Sequence, residues 1–142
     1  MIKKIIRKLK YFYANRSKLA RVDYLRQQGA IIGVGTELNC NTTAFGTEPY
    51  LIEVGKLCLF AAGVQLITHD GGVAVLNRLG VWGEGVEKDK IGRIKIGNNV
   101  YIGTNALVMP DVKIGDNCVI GAGAIVSRIF HPIVLLLAFR LV

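Results

Sequence analysis

Large aliphatic residues recur at every sixth position of this chain. Ile96, Ile102, Val108, Ile114, Ile120 and Val126 stand on one phase. Val100, Ala106, Val112, Cys118 and Ala124 stand two residues earlier on a second phase, all small or β-branched. Gly97, Gly103, Gly115 and Gly121 directly follow the large aliphatic. A period of six is neither the helix period nor the strand period of two. It fits a solenoid in which six residues make one short strand and one turn, and three such units close a triangular coil. The large aliphatic fills the prism, the small residue packs near a corner, and glycine is expected at corners that need positive φ. Stacked coils then share one continuous core.

The same phases extend upstream. Ile32, Leu38, Val54, Phe60 and Leu66 continue the large positions, and Thr42, Cys58 and Val64 the small ones. An insertion around "FGTEPYLIE" shifts the step, and residues 69–91, rich in Gly and charge and holding the lone Trp82, abandon it. Before the repeats, Ile2, Ile5, Ile6, Leu9 and Tyr13 show helical spacing, with the basic residues on the other face and Gly29 as a stop signal. The expected organisation is a basic amphipathic helical arm over 1–29, a repeat body over 30–128 with a loop at 69–91, and an apolar tail over 129–142.

Charge separates these regions. Residues 1–28 carry nine Lys or Arg against Asp23 alone, whereas residues 29–142 balance nine basic with nine acidic side chains. The arm leaves two readings open, a solvated basic surface and a peripheral contact with anionic membrane. Nucleic acid is not expected. Three cysteines at irregular spacing suggest neither a disulfide framework nor a metal site. The basic start lacks the long apolar run of a signal peptide. The 14 tail residues, interrupted by His131, Pro132 and Arg140, fall short of the roughly 20 that span a membrane. The expected location is cytoplasmic, with the inner membrane face as the place for any peripheral contact.

The stretch "IGNNVYIGTNALVMPDVKIGDNCVIGAGAIVSR" resembles the hexapeptide-repeat acyltransferases. "ITHDGG" at 67–72, followed by a loop, resembles the sugar O-acetyltransferase branch, which includes maltose, galactoside and capsule or exopolysaccharide enzymes. The resemblance implies an all-β fold, a left-handed parallel β-helix, carrying an N-terminal α-helical arm. It implies a homotrimer that binds acetyl-CoA as co-substrate between subunits, with no metal. It implies an acetyl-CoA-dependent O-acetyltransferase acting on a sugar or polysaccharide-precursor hydroxyl.

Such a transfer needs a base, an oxyanion donor and a held thioester. The chain has two histidines, His69 and His131. His69 stands where the family's catalytic histidine stands, so the resemblance makes it the general base, with Asp70 a candidate to orient it. Asn77, Arg78 and Trp82 of the loop are candidates for acceptor binding, against a plain packing or surface role. Tyr101, Gly103, Thr104, Ala122, Ser127 and Arg128 align with family positions that line the coenzyme, although Gly, Ala and Ser equally suit a corner.

After Arg128 the family continues "D-I-P-x-N-S-V-x-A-G-V-P-A", whereas this chain reads "IFHPIVLLLAFRLV". One permitted set of codons for that tail, advanced by a single nucleotide, encodes D-I-P-S-N-S-V-I-A-G-V-P-A-C. The expectation is a one-nucleotide deletion near codon 129, which impairs coenzyme binding. A second functional reading is therefore a truncated, inactive β-helix that serves as a structural or binding protein. A γ-class carbonic anhydrase of the same fold needs three metal-binding histidines, one more than the chain has.

Overall fold

Each six-residue unit forms a strand of two or three residues whose last side chain points inward. A computed structural model of the chain describes residues 2–127 and 135–136. In chain order the strands are β1 (Ile31–Ile32), β2 (Glu37–Leu38), β3 (Ile52–Val54), β4 (Leu59–Phe60), β5 (Gln65–Leu66), β6 (Ile94–Ile96), β7 (Tyr101–Ile102), β8 (Leu107–Val108), β9 (Lys113–Ile114), β10 (Val119–Ile120), β11 (Ile125–Val126) and β12 (Leu135–Leu136). They form three parallel sheets, β1-β3-β6-β9, β2-β4-β7-β10-β12 and β5-β8-β11. The chain visits the three in turn, and each strand pairs with the one a full coil away. Both hydrophobic phases are interior: Leu38, Phe60, Val64, Leu66, Ile102, Ala106, Val108, Ile120 and Val126 have no exposed surface.

The glycines occupy a different place from the one expected. Those that follow the large aliphatic do not have positive φ; they sit where successive coils touch. A Cβ at Gly55 would lie 2.5 Å from the Gly97 carbonyl oxygen, and one at Gly103 2.5 Å from the Ala122 nitrogen. Positive φ falls two residues further on. It is held there by Leu57, Asn99, Asn105, Asp111 and Asn117, and by Gly35, Gly63 and Gly123. Asn and Asp tolerate this left-handed region better than other side-chain-bearing residues, which explains their period of six. Leu57, with φ of 58°, does not share that tolerance.

Two departures from regularity shape the site. In the first coil a 3-10 turn, Thr42–Phe45, replaces the strand of the third sheet, and the inserted residues 46–51 follow it. After β5 the chain leaves the coil and returns only at β6. The excursion contains one short helix, α3 (Val73–Arg78), so the architecture is parallel sheet with helical additions rather than purely β.

The helical stretch foreseen over 2–28 is broken into α1 (Ile2–Ala14) and α2 (Lys18–Gln27). Ser17 Oγ caps α2 by accepting from the Ala20 backbone N–H, and that competing bond ends the first helix. Val22 and Leu25 of α2 are buried against the first coil. Arg21 donates to the Leu38 carbonyl at 3.0 Å and Arg26 to the Ile32 carbonyl at 2.6 Å. In this way α2 covers the otherwise bare end of the stack. Cys40, Cys58 and Cys118 are buried. Burial pushes the Cys40 thiol to about 11 and raises that of Cys58.

Candidate active site

His69 emerges from the third sheet at the point where the chain leaves the coil. It forms an antiparallel bridge with Ile91. Asp70 N–H donates to the Lys90 carbonyl at 2.9 Å and Gly92 N–H to the Thr68 carbonyl at 2.8 Å. The loop is thus closed at its base, and the imidazole stands at its mouth, 42% exposed.

Two carboxylates flank that ring. Glu48 Oε1 lies 3.9 Å from Nδ1, and Asp89 Oδ1 lies 3.9 Å from Nε2. Both contacts are electrostatic, longer than hydrogen bonds. Their settings differ: the Glu48 side chain is 16% exposed and that of Asp89 73%. Glu48 is also fixed, since Thr68 Oγ donates to its Oε2 at 2.7 Å and Thr47 Oγ donates to its Oε1 at 2.5 Å. These two hydroxyls, followed by the nearby imidazole, hold the Glu48 carboxyl below its usual range against the opposing effect of burial.

Asp70, a candidate to orient His69, is paired elsewhere. Its Oδ1 accepts from the Gly72 backbone N–H at 3.0 Å and its Oδ2 lies 4.0 Å from Lys90 Nζ. The physical reason is local: neighbouring side chains of an extended segment point to opposite faces. Asn77 is likewise engaged inside the loop, bonding the Lys88 carbonyl at 2.8 Å and the Lys88 N–H at 3.1 Å. Trp82 carries Lys88 Nζ 4.3 Å above its ring, and its Nε1 is buried without a hydrogen-bond partner. Arg78 is exposed at the end of α3.

The residues aligned with a coenzyme wall lie in two places. Tyr101 projects from the second sheet into a groove of about 310 Å³ beside Leu57, Leu59 and Val119. Gly103, Thr104 and Ala122 form the corner that follows, where the Gly123 N–H meets the Thr104 carbonyl at 2.8 Å. Ser127 instead follows β11 on the third sheet. Arg128 and the tail from Ile129 onward lie outside the described residues, apart from Leu135–Leu136, which pairs with β10. One chain therefore does not bring Tyr101 to His69.

Glu48 and Asp89 were not singled out in the sequence. A signal for Glu48 was present, because the insertion that upsets the repeat follows the same corner one coil before His69. Among the described residues no cluster of His, Cys, Asp and Glu is arranged to hold a metal.

Residues 93–128 match the family described as bacterial transferase hexapeptide (six repeats). This stretch belongs to the hexapeptide repeats. The chain is 40% identical over 91 residues to Protein CapG of Staphylococcus aureus, a match covering 63% of this chain. The match spans about half the length of that curated relative. Among solved structures, a maltose O-acetyltransferase from Clostridium difficile superposes with a TM-score of 0.58 at 25% identity, over 91% of this chain and 77% of the other. A hexapeptide-repeat acetyltransferase of Vibrio cholerae, in complex with acetyl coenzyme A, gives a TM-score of 0.55 at 16% identity, over 88% and 76%. The latter likeness is one of fold alone.

Proposed function

We propose that this protein is an O-acetyltransferase that moves an acetyl group from acetyl-CoA to a hydroxyl of a sugar or polysaccharide precursor. The observation that carries this reading is His69, half-exposed at the mouth of a loop and backed by an anchored, ionised Glu48. The fold likeness to acetyltransferases supports it. Acetyl-CoA, when bound, supplies the acetyl group as a thioester. His69 receives the acceptor's hydroxyl proton at Nε2 and passes it to the coenzyme thiolate that leaves as the thioester C–S bond gives way to the new ester, and the negative charge of Glu48 beside Nδ1 stabilises the imidazolium in between. An acceptor reaches Nε2 by displacing Asp89, whose side chain is held only at 3.9 Å. Backbone N–H groups at Gly103 and Thr104 are our candidates for oxyanion donors.

We also take the coil to be left-handed and the assembly to be a homotrimer. Two features support the trimer. Tyr101 and His69 lie on different faces of one chain, so a shared coenzyme groove requires a neighbour. The outward face of the second sheet presents an apolar row, Leu59, Tyr101 and Val119, each 37–40% exposed, with Glu37 at its end. The organisation we adopt keeps the helical arm, the repeat body and the acceptor loop as functional units, and places the chemistry in the cytoplasm.

Isothermal calorimetry with acetyl-CoA, followed by acetyl transfer to free hexoses and to nucleotide-linked sugars, tests this reading. Binding with turnover that vanishes in His69→Ala is expected. Acetyl-CoA binding without any His69-dependent transfer would overturn the catalytic assignment, and absence of binding would overturn the function.

A further inference from the structure

We propose that α1 lies flat on an anionic lipid bilayer and attaches this protein to it. The observation is an apolar stripe with nothing on it. Ile5, Ile6, Leu9, Phe12 and Tyr13 occupy one face of α1, and each is 47–67% exposed. The neighbouring α2 behaves oppositely and buries Val22 and Leu25 in the body. The outer helix is held at its end rather than along its stripe. Ala14 is buried, and Asn15 exchanges two hydrogen bonds with Thr42, 3.2 Å to its Oγ and 3.1 Å from its N–H. Apolar depressions of about 420 and 810 Å³ run beside the stripe. Phe12 and Tyr13 meet edge to face, the pairing of an apolar and an amphipathic ring that suits a headgroup boundary.

Charge decides the occupant. By sequence position, Lys3, Lys4, Arg7, Lys8 and Lys10 fall on the side of α1 away from the stripe, and α1 contains no acid. Across residues 1–28 only Asp23 offsets nine cations. A second copy of this chain would add its own surplus of cations beside this one, whereas a surface of phosphate headgroups attracts both the arm's charge and its apolar face. At 13 residues α1 is about 20 Å long, short of the roughly 30 Å of a bilayer core, so it lies on the surface and does not cross. No described helix is long and apolar enough to span.

The test mixes the full chain with vesicles of phosphatidylcholine, pure or with 40% phosphatidylglycerol, and measures co-flotation. At least tenfold tighter binding to the anionic vesicles is expected, weakening as salt rises. Leu9→Asp/Phe12→Asp should abolish flotation with the thermal midpoint held, because neither side chain is buried. Lys3→Glu/Lys8→Glu should weaken flotation on the anionic vesicles alone. Equal binding to both vesicles, or binding untouched by Leu9→Asp/Phe12→Asp, would overturn the proposal. So would a lipid-free assembly that dissociates in that variant while no vesicles are bound, since the stripe would then belong to a second copy.

Discussion

Along residues 93–127 every sixth position is decided by stacking, whereas at residues 46–51 and 69–91 the spacing is abandoned. The regular coils hold the buried aliphatics and the close-contact glycines, and their polar groups are spent on neighbouring coils. Asn99 donates to Asn117 at 2.8 Å, for example. The two interruptions hold His69, Glu48 and Asp89, and they lie on one edge. The difference teaches that rigidity and chemistry are divided along the chain: a repeating surface offers each coil the same environment, and only a break can bring unlike groups together.

The sharpest way to break this division is to empty the irregular edge without touching the stack. His69→Ala is expected to lower kcat about 10²- to 10⁴-fold with no change in thermal midpoint. Equal loss of both would place His69 with the coils. The converse experiment crowds the stack. In Gly55→Val the new Cβ has the Gly97 carbonyl oxygen 2.5 Å away, so urea unfolding should show a loss of about 3 kcal/mol. Acetyl-CoA affinity should fall only as far as the fold does.

Glu48→Gln stands between these extremes. Removing the charge beside Nδ1 should cost roughly tenfold in kcat, about 1.4 kcal/mol of barrier, with the KM for acetyl-CoA unchanged. The same variant carries a pH signature. The Glu48 carboxyl titrates lower in the folded than in the unfolded chain. Its stabilising contribution is therefore present above the ordinary glutamate range and is lost as pH falls through the folded value. The gap in thermal midpoint between the wild type and Glu48→Gln should narrow on acidification. The smallest effect is expected at a corner: Leu57→Asn relieves a left-handed leucine and should stabilise by about 1 kcal/mol. A loss there would mean that the Leu57 side chain, packed over Gly35, outweighs its strain.

The coils were legible because a period of six reports a stacked environment directly: Ile96 through Val126 are inward and the small phase is interior. The corners were half legible. Glycine is expected at the positive-φ corners and does stand there as Gly35, Gly63 and Gly123, while Asn99, Asn105, Asp111 and Asn117 fill half of those places and the glycines after the large aliphatics serve the close approach of coils. The site was legible only at His69. Asp70 was a candidate by adjacency alone, and an extended backbone turns neighbouring side chains to opposite faces. Glu48 is 21 positions away and reaches the ring because an insertion and a coil's pitch carry it there. The arm's helical character could be read from Ile5, Ile6 and Leu9, but not the break before Ser17, which depends on a single cap.

The closure at the foot of the loop has a consequence for evolution. His69 and Ile91 face one another across a bridge, and β5 and β6 rejoin the stack as though nothing lay between them. Residues 70–90 therefore form a cassette whose ends are already aligned. A lineage can lengthen, shorten or exchange that segment, and so try new acceptors, while leaving every rung of the coil in register. A laboratory can do the same by grafting.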